Sequence, residues 1–261
     1  MKKVIALGDL HSGHRAGLTP PQWQYPIRGG TKQRNAWGKS QHETWGAYLD
    51  LIEKTKPPID LLIVNGDLID GRGQLSGSTE LLTTDRVEQA QMAYEALKIW
   101  GARKVVISYG TPYHVAADGD DLERSIAESL GGEIHSHPFV EVEGVTFDIK
   151  HKVGSSSIPH GRGTPLAKEW LWNLLWAERE EQPKADIILR SHIHYFSYIG
   201  DTGWIAMSMP ALQIAGTKYG GRQCSGTVDW GLVEFNVDAG EFEWKAHIKS
   251  LKANKQEAIK L

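Results

Sequence analysis

Only one cysteine, Cys224, occurs in the 261 residues. A single thiol excludes an internal disulfide, leaves no thiolate cluster for a structural zinc, and fits a reducing compartment. Long apolar runs are missing as well. None approaches the roughly 20 residues that span a bilayer, so no membrane segment is expected. The apolar run at the N-terminus is too short for a signal-peptide core and meets Asp9 at once, which predicts a cytoplasmic protein. Charge of one sign is not in excess. A net charge of -3 gives no general attraction to nucleic acid, though it leaves room for a local basic groove. Repeats, low-complexity tracts and linkers are absent too. The length then suits a single domain over 1–261, large enough to bury its core without staples.

Histidine and tryptophan are plentiful, at 11 and 10. Several histidines fall in short pairs. Trp170, Trp172 and Trp176 share one segment and read as core and helix packing, because large aromatics dominate core burial.

Along the chain, Lys3 to Leu7, Leu61 to Val64 and Val105 to Ser108 are short apolar runs that read as buried strands. Residues 12–39 are rich in Gly, Pro, Arg and Gln and read as a long loop insertion. A second insertion is expected near 71–84. Trp45, Leu49 and Ile52 predict a helix over 41–55, stopped by Pro57-Pro58. Asp85 with Glu88 reads as a capping box opening a helix to Trp100, ended by Gly101. Asp121 caps another, closed by Gly131-Gly132. Phe139 to Val142 and Val145 to Ile149 form a hairpin turning at Glu143-Gly144. Thr164 as cap and Pro165 in the first turn start a helix running to about Glu180. Ile187 to Leu189 is a strand, and short strands follow with turns at Asp201–Gly203 and Asp238–Gly240. The pattern is α/β: sheet layers covered by helices.

Polar residues sit where these strands end. Asp9, Asp67 and the Gly110–His114 stretch each follow an apolar strand, and His151 and His192 come at or just after strand ends. Parallel strands deliver their carboxyl ends to one edge, where ligand sites form. Carboxylates and imidazoles together suit a divalent transition metal: manganese, iron, zinc or nickel. Asp9 and His11 alternate along what reads as an extended segment, and so do His192 and His194, so each pair can face one way. Asp9, His11, Asp67, His151, His192 and His194 exceed the three ligands of a single catalytic zinc. The surplus points to two ions, with an acid such as Asp67 as bridge. Ions about 3.5 to 4 Å apart clamp the attacking and leaving oxygens of phosphoryl displacement.

Gly8-Asp9-Leu10-His11, Gly66-Asp67, a glycine loop with a histidine, His151, and His192-Ile193-His194 occur in that order. In this the sequence resembles the calcineurin-like metallophosphoesterase family, over residues 4 to about 210. The resemblance implies a four-layer α/β/β/α sandwich, two mixed β-sheets flanked by helices, with two divalent ions at the sheet edge. Asp9, His11 and His194 would bind one ion, His151 and His192 the other, and Asp67 would bridge. It further implies hydrolysis of phosphomonoesters or phosphodiesters through a hydroxide bridging the ions. One station departs from the family. Where Gly-Asn-His is usual, this chain reads Gly110-Thr111-Pro112-Tyr113-His114, with threonine in the place of the metal-binding asparagine. Either Thr111 or a water completes that shell, or His114 moves into it. His114 is nevertheless the residue expected to contact the scissile phosphate, either to steady developing charge or to protonate the leaving oxygen.

His160 and Arg162, in a Ser/Gly-rich loop, are candidates for phosphate contact, weighed against a plain solvated loop. Arg15, Arg28, Arg34 and Arg72 lie in the early loops and could fold over the site, so a nuclease or nucleotide phosphodiesterase stands as the alternative substrate reading. His14, His42, His135, His137 and His247 read as ordinary hydrogen-bonded residues. Asp70 is expected in a turn or cap, with support of the site from behind the ligands as the lesser alternative, and Asn65 in the turn before Asp67. Ser155–Ser157 lacks the strained elbow of a serine hydrolase. A catalytically quiet metal-binding scaffold for a partner protein is the reading from another class.

Overall fold

The computed structural model describes residues 1–74, 77–115, 121–217 and 227–251; Cys224 lies outside them. Strands β1 (Lys2–Leu7), β2 (Leu61–Asn65) and β3 (Lys104–Ser108) are near-continuous apolar runs because both their faces are covered. They pair in parallel, with Val4 opposite Leu61 and Leu62 opposite Val105. Between them the chain crosses over through α1 (Lys32–Thr55) and α2 (Arg86–Lys98). The one-turn α3 (Pro112–Val115) and α4 (Leu122–Ser129) lead to β4 (Glu133–His135), parallel to β3. Strands β5 (Phe139–Val142) and β6 (Val145–Lys152) form the expected hairpin, with Glu143 and Gly144 both at positive φ. Helix α5 (Gly163–Glu178), β7 (Ile187–Ser191), β8 (Ser197–Asp201) and β9 (Trp204–Ser208) follow, then the hairpin of β10 (Trp230–Asp238) and β11 (Glu241–Lys249).

The strands make two mixed sheets, ordered β11-β10-β1-β2-β3-β4 and β5-β6-β7-β9-β8. Strand alternation sorts the side chains into three apolar layers. Ile5, Leu7, Leu62, Val64 and Ile107 face the first helices, packing with Tyr48, Leu51, Ala93 and Ile126. Val4, Ala6 and Ile63 face the other way, onto Phe147, Leu189 and Met207 of the second sheet. Ile188 and Ala206 then meet Leu166 of α5. The result is helices, sheet, sheet, helix: the α/β/β/α sandwich that the motifs imply. Both parallel sets, β1-β2-β3 and β6-β7-β9, end at the same edge as Asp9, Asp67, His151 and His192. No helix among the described residues is long and apolar enough to cross a membrane.

Some boundaries differ from the sequence reading. Helix α1 starts at Lys32, capped by the Thr31 hydroxyl, so the last part of the segment read as a 12–39 loop is helical. Tertiary packing decides this: Trp37 is buried, and Gly38 lets the helix approach Tyr25 and Pro26 so closely that a Cβ would sit 2.4 Å from the Tyr25 carbonyl. Asp85 does cap α2, but Glu88 does not reciprocate; it accepts from the Trp23 indole instead. Helix α5 begins before Thr164, at Gly163, with no side-chain cap. The tryptophans divide. Trp37, Trp100 and Trp230 are core, Trp170 stacks on Trp204 at 4.0 Å, and Trp172 stacks on Trp176 at the surface of α5.

Candidate metal centre

The strand ends that meet at this edge are zipped together by backbone hydrogen bonds. Asp9 N–H donates to Gly66 O, His11 N–H to Asp67 O and Ser12 N–H to Leu68 O, each at 3.0 Å. Asp9 Oδ2 accepts from His192 N–H at 3.3 Å, which ties the first station to the last. The ligand pairs are not extended, contrary to the sequence expectation. Asp9, His11, Asp67, His192 and His194 all have positive φ, between 45° and 76°. Left-handed backbone is unfavourable for these residue types and persists where the surroundings over-determine it. Asp9 and His11 share one group of possible ligands, whereas His192 and His194 fall in different ones. Gly66 and Gly110 have no alternative residue here. A Cβ on Gly66 would lie 2.5 Å from His151 Nδ1, and one on Gly110 would lie 2.3 Å from Asp67 Oδ1.

Three overlapping groups converge: Asp9, His11 and His194; His11, Asp67 and His114; Asp67, His151 and His192. Within each, the possible ligand atoms all lie within 4.8 Å of one another. His11 links the first two groups and Asp67 the last two; Asp67 Oδ2 is 3.0 Å from His151 Nε2, 3.9 Å from the Nε2 atoms of His11 and His114, and 4.0 Å from His192 Nδ1. His194 Nε2 lies 3.3 Å from Asp9 Oδ1 and 3.2 Å from His11 Nε2. Two atoms there are buried without a hydrogen-bond partner: Asp9 Oδ1 and His151 Nε2. The latter is close to Asp67 but not in hydrogen-bonding geometry. Orphaned buried polar atoms are rare and call for an explanation. Here they face inward with the other ligand atoms, and a cation would satisfy them.

The histidines are oriented from behind. His11 Nδ1 pairs with Asp70 Oδ1 at 3.0 Å, His114 Nδ1 with the Asp70 carbonyl at 2.6 Å, and His151 Nδ1 with the Asn65 carbonyl at 2.7 Å. Each bond sets the tautomer that leaves Nε2 available, the usual support of a metal-ligating histidine. Asp70 and Asn65 therefore do more than turn the chain. Asp70 was visible as a second acid near Asp67, but its reach to His11 follows from the fold. Electrostatics agree with a cation here. Burial pushes the Asp67 carboxyl up, but His151 and its other imidazole neighbours outweigh that and hold it well below the usual range. Burial likewise opposes ionised Asp9, and His194 and His151 reverse it. Burial also pulls His151 down, yet the Asp67 and Asp9 carboxylates carry it to about 9. Burial holds the His11 imidazole below its ordinary value, against the bond to Asp70. On the far side of the Asp67 turn, burial raises Glu123 to about 7.

Thr111 bonds the Asp67 carboxylate. Its N–H and hydroxyl both donate to Asp67 Oδ1, at 2.6 and 3.1 Å, and the hydroxyl also lies 3.4 Å from Oδ2. Arg162 lies over the Tyr195 ring, 4.2 Å from its centroid, beside His194 in sequence, whereas His160 is exposed on the turn before it. Arg15 is tied to Glu80 at 2.6 Å and stacks on Trp37, and Arg34 stacks on Tyr25, so these two brace the early loops. His14, His137 and His247 hydrogen-bond to Ala16 N–H, Asp148 and Glu234.

No family model and no curated protein matches the chain. Among solved structures, it is similar to a wild-type Vps29 complexed with zinc from Entamoeba histolytica, at 14% identity and TM-score 0.46, covering 96% of this chain and 99% of that one. A predicted phosphoesterase from Streptococcus pneumoniae aligns at 12% identity and TM-score 0.42, covering 96% and 91%. A novel archaeal phosphodiesterase aligns at 11% and 0.44, covering 94% and 99%. What those proteins bind or hydrolyse stays theirs at such distances. What the chain itself shows is the layer order and strand register of an α/β/β/α sandwich, with the motif residues gathered at one edge of its sheets.

Proposed function

We propose that the protein is a metal-dependent phosphoesterase that hydrolyses phosphomonoesters or phosphodiesters with two divalent ions, on a single domain over 1–261. The observation that carries this is the convergence of imidazole nitrogens on two buried carboxylate oxygens, Asp67 Oδ2 and Asp9 Oδ1, with Asp9 Oδ1 and His151 Nε2 left without a hydrogen bond. Asp9, His11 and His194 would hold one ion. His151 and His192 would hold the other, and Asp67 would be shared. Manganese, iron, zinc or nickel fit such oxygen and imidazole donors. Bound ions supply Lewis acidity toward phosphate oxygens and acidify water. The chain's own residues do the rest. Asp70 and Asn65 hold the imidazoles in register. His114, its Nδ1–H held by the Asp70 carbonyl, presents Nε2 beside Asp67, where it would contact the phosphate and, with a second proton on Nε2, would give that proton to the leaving oxygen. Its side chain, like those of His192 and His194, is partly exposed, so substrate approaches from that side. Arg162 and His160 would border that approach.

The test is metal analysis together with hydrolysis of p-nitrophenyl phosphate and bis-p-nitrophenyl phosphate with each metal in turn. Hydrolysis of either ester, lost in folded D9A, D67A and H192A, supports the proposal. Normal activity in any folded one of these sinks it. Metal binding without hydrolysis by any metal points to the scaffold instead. Preference for diesters, followed by activity on cyclic nucleotides or single-stranded DNA, points to the nucleotide reading.

A further inference from the structure

Glu123, on α4, is fully buried, and no motif singles it out. Its two oxygens serve two different loops. Oε1 accepts from Leu68 N–H at 3.0 Å, and Oε2 accepts from Gly110 N–H at 2.9 Å. Leu68 directly follows Asp67. Gly110 directly precedes Thr111, which gives Asp67 Oδ1 two hydrogen bonds. Glu123 is thus bonded to backbone on both sides of the carboxylate around which the centre is built, and its hydrogen-bond partners are N–H groups rather than a lysine or arginine. Burying a carboxylate this way is costly. A glutamine would avoid the charge, but its amide offers one acceptor where two N–H donors need two.

We propose that Glu123 is a positioning residue for the ion held by Asp67, His151 and His192. It clamps the Asp67 turn to the Gly110–Thr111 segment, so that Thr111 bonds chiefly to Oδ1, its hydroxyl lying 3.1 Å from Oδ1 and 3.4 Å from Oδ2, while Oδ2 stays turned toward His11, His114, His151 and His192. The proposal rests on the metal-centre reading above. In this chain the third station lacks the asparagine, and its contribution becomes indirect: it holds the bridging acid instead of reaching the ion.

The test is calorimetric titration of the metal-free full chain with Mn2+, read beside the Mn2+-induced rise in unfolding temperature. Wild type is expected to take up two ions. E123Q keeps the shape but turns an NH2 toward an N–H donor. It should stay folded and bind the His151/His192 ion about 10- to 100-fold more weakly, the usual cost of losing such support, with a smaller loss at the other ion, which shares Asp67. T111V should weaken the same ion, and the E123Q/T111V pair should lose less than the sum, because both act along one route. E123D, with both acceptors set back by one methylene, should recover part of the loss; it and T111V carry the test if E123Q does not fold. Unchanged affinity for both ions in folded E123Q overturns the clamp. So does equal weakening of both ions with additive losses, the mark of a merely structural role. A wild-type chain that takes up no Mn2+ overturns the metal reading and the clamp with it.

Discussion

At the floor of the centre, Asp9, His11, Asp67 and His151 are no more than 4% exposed, whereas the His114, His194 and His192 side chains at the rim are 15, 17 and 36% exposed. The two groups are also held differently. Floor atoms are fixed by backbone carbonyls, by Asp70 and by the Thr111 bonds to Asp67, and two of them are left without a partner. Rim imidazoles have one face in the structure and one toward solvent. The floor therefore has the stronger demand for a cation, and the rim has the access that a substrate needs. Losing a floor residue should remove ions. Losing a rim residue that is not a ligand should spare the ions and slow the chemistry.

The largest effect is expected at the floor. D67N removes the shared negative charge, so it should lose at least one ion and lower kcat/KM by more than about 1,000-fold, with the fold retained by circular dichroism. Metal content measured beside activity checks it, and a folded D67N with both would break the distinction. H114A comes next. As a general acid at the rim it should cost about 100- to 10,000-fold in kcat with metal content unchanged. Loss of an ion instead would move His114 into the floor group, the alternative that its contact with His11 and Asp67 leaves chemically reasonable. D70N is smaller. It weakens the bond behind His11 and should reduce metal affinity about 10- to 100-fold, read by Mn2+ titration.

The smallest effect lies outside the centre and serves as a contrast. Arg190 is buried in β7 and bonds Asp148 at 2.7 Å and Glu169 at 2.8 Å, while His137 meets Asp148 at 2.8 Å. Burial raises the Asp148 carboxyl, but His137 and Arg190 prevail and bring it to about 2. A carboxyl depressed in the fold adds stability above its ordinary pKa and loses it as pH falls toward the folded value. The depression corresponds to about 2 kcal/mol. D148N should therefore be less stable than wild type at neutral pH by at least that order, with the gap shrinking as pH drops from about 4 toward 2. Its metal content should not change. Denaturant midpoints across that range test the sign, and a gap that widens on acidification would refute it.

Much of this was legible in the sequence because the strands are apolar runs that stop at Gly-Asp or at a histidine. That pattern placed Asp9, Asp67, His151 and the His192/His194 pair at strand ends, and hence on one edge. The hairpin at Glu143-Gly144 was equally plain. The supporting residues were not, for physical reasons. Asn65 acts through a carbonyl that any residue could supply. Asp70 reaches back to His11 across 59 positions, and Glu123 bonds two N–H groups that carry no side-chain signal. The start of α1 was hidden because Lys32–Lys39 is polar and becomes helical through one buried tryptophan and one close-packed glycine. The left-handed backbone at five candidate ligands was invisible too, since aspartate and histidine announce it far less than glycine does.

The most direct test of the central claim is the number of divalent ions bound per chain, by Mn2+ titration of metal-free protein, with bis-p-nitrophenyl phosphate hydrolysis followed at each point. Two ions per chain, with activity rising as the second site fills and both lost in folded D67N, is the expected result. Hydrolysis at full rate with no ion bound, or two ions retained in D67N, would contradict it.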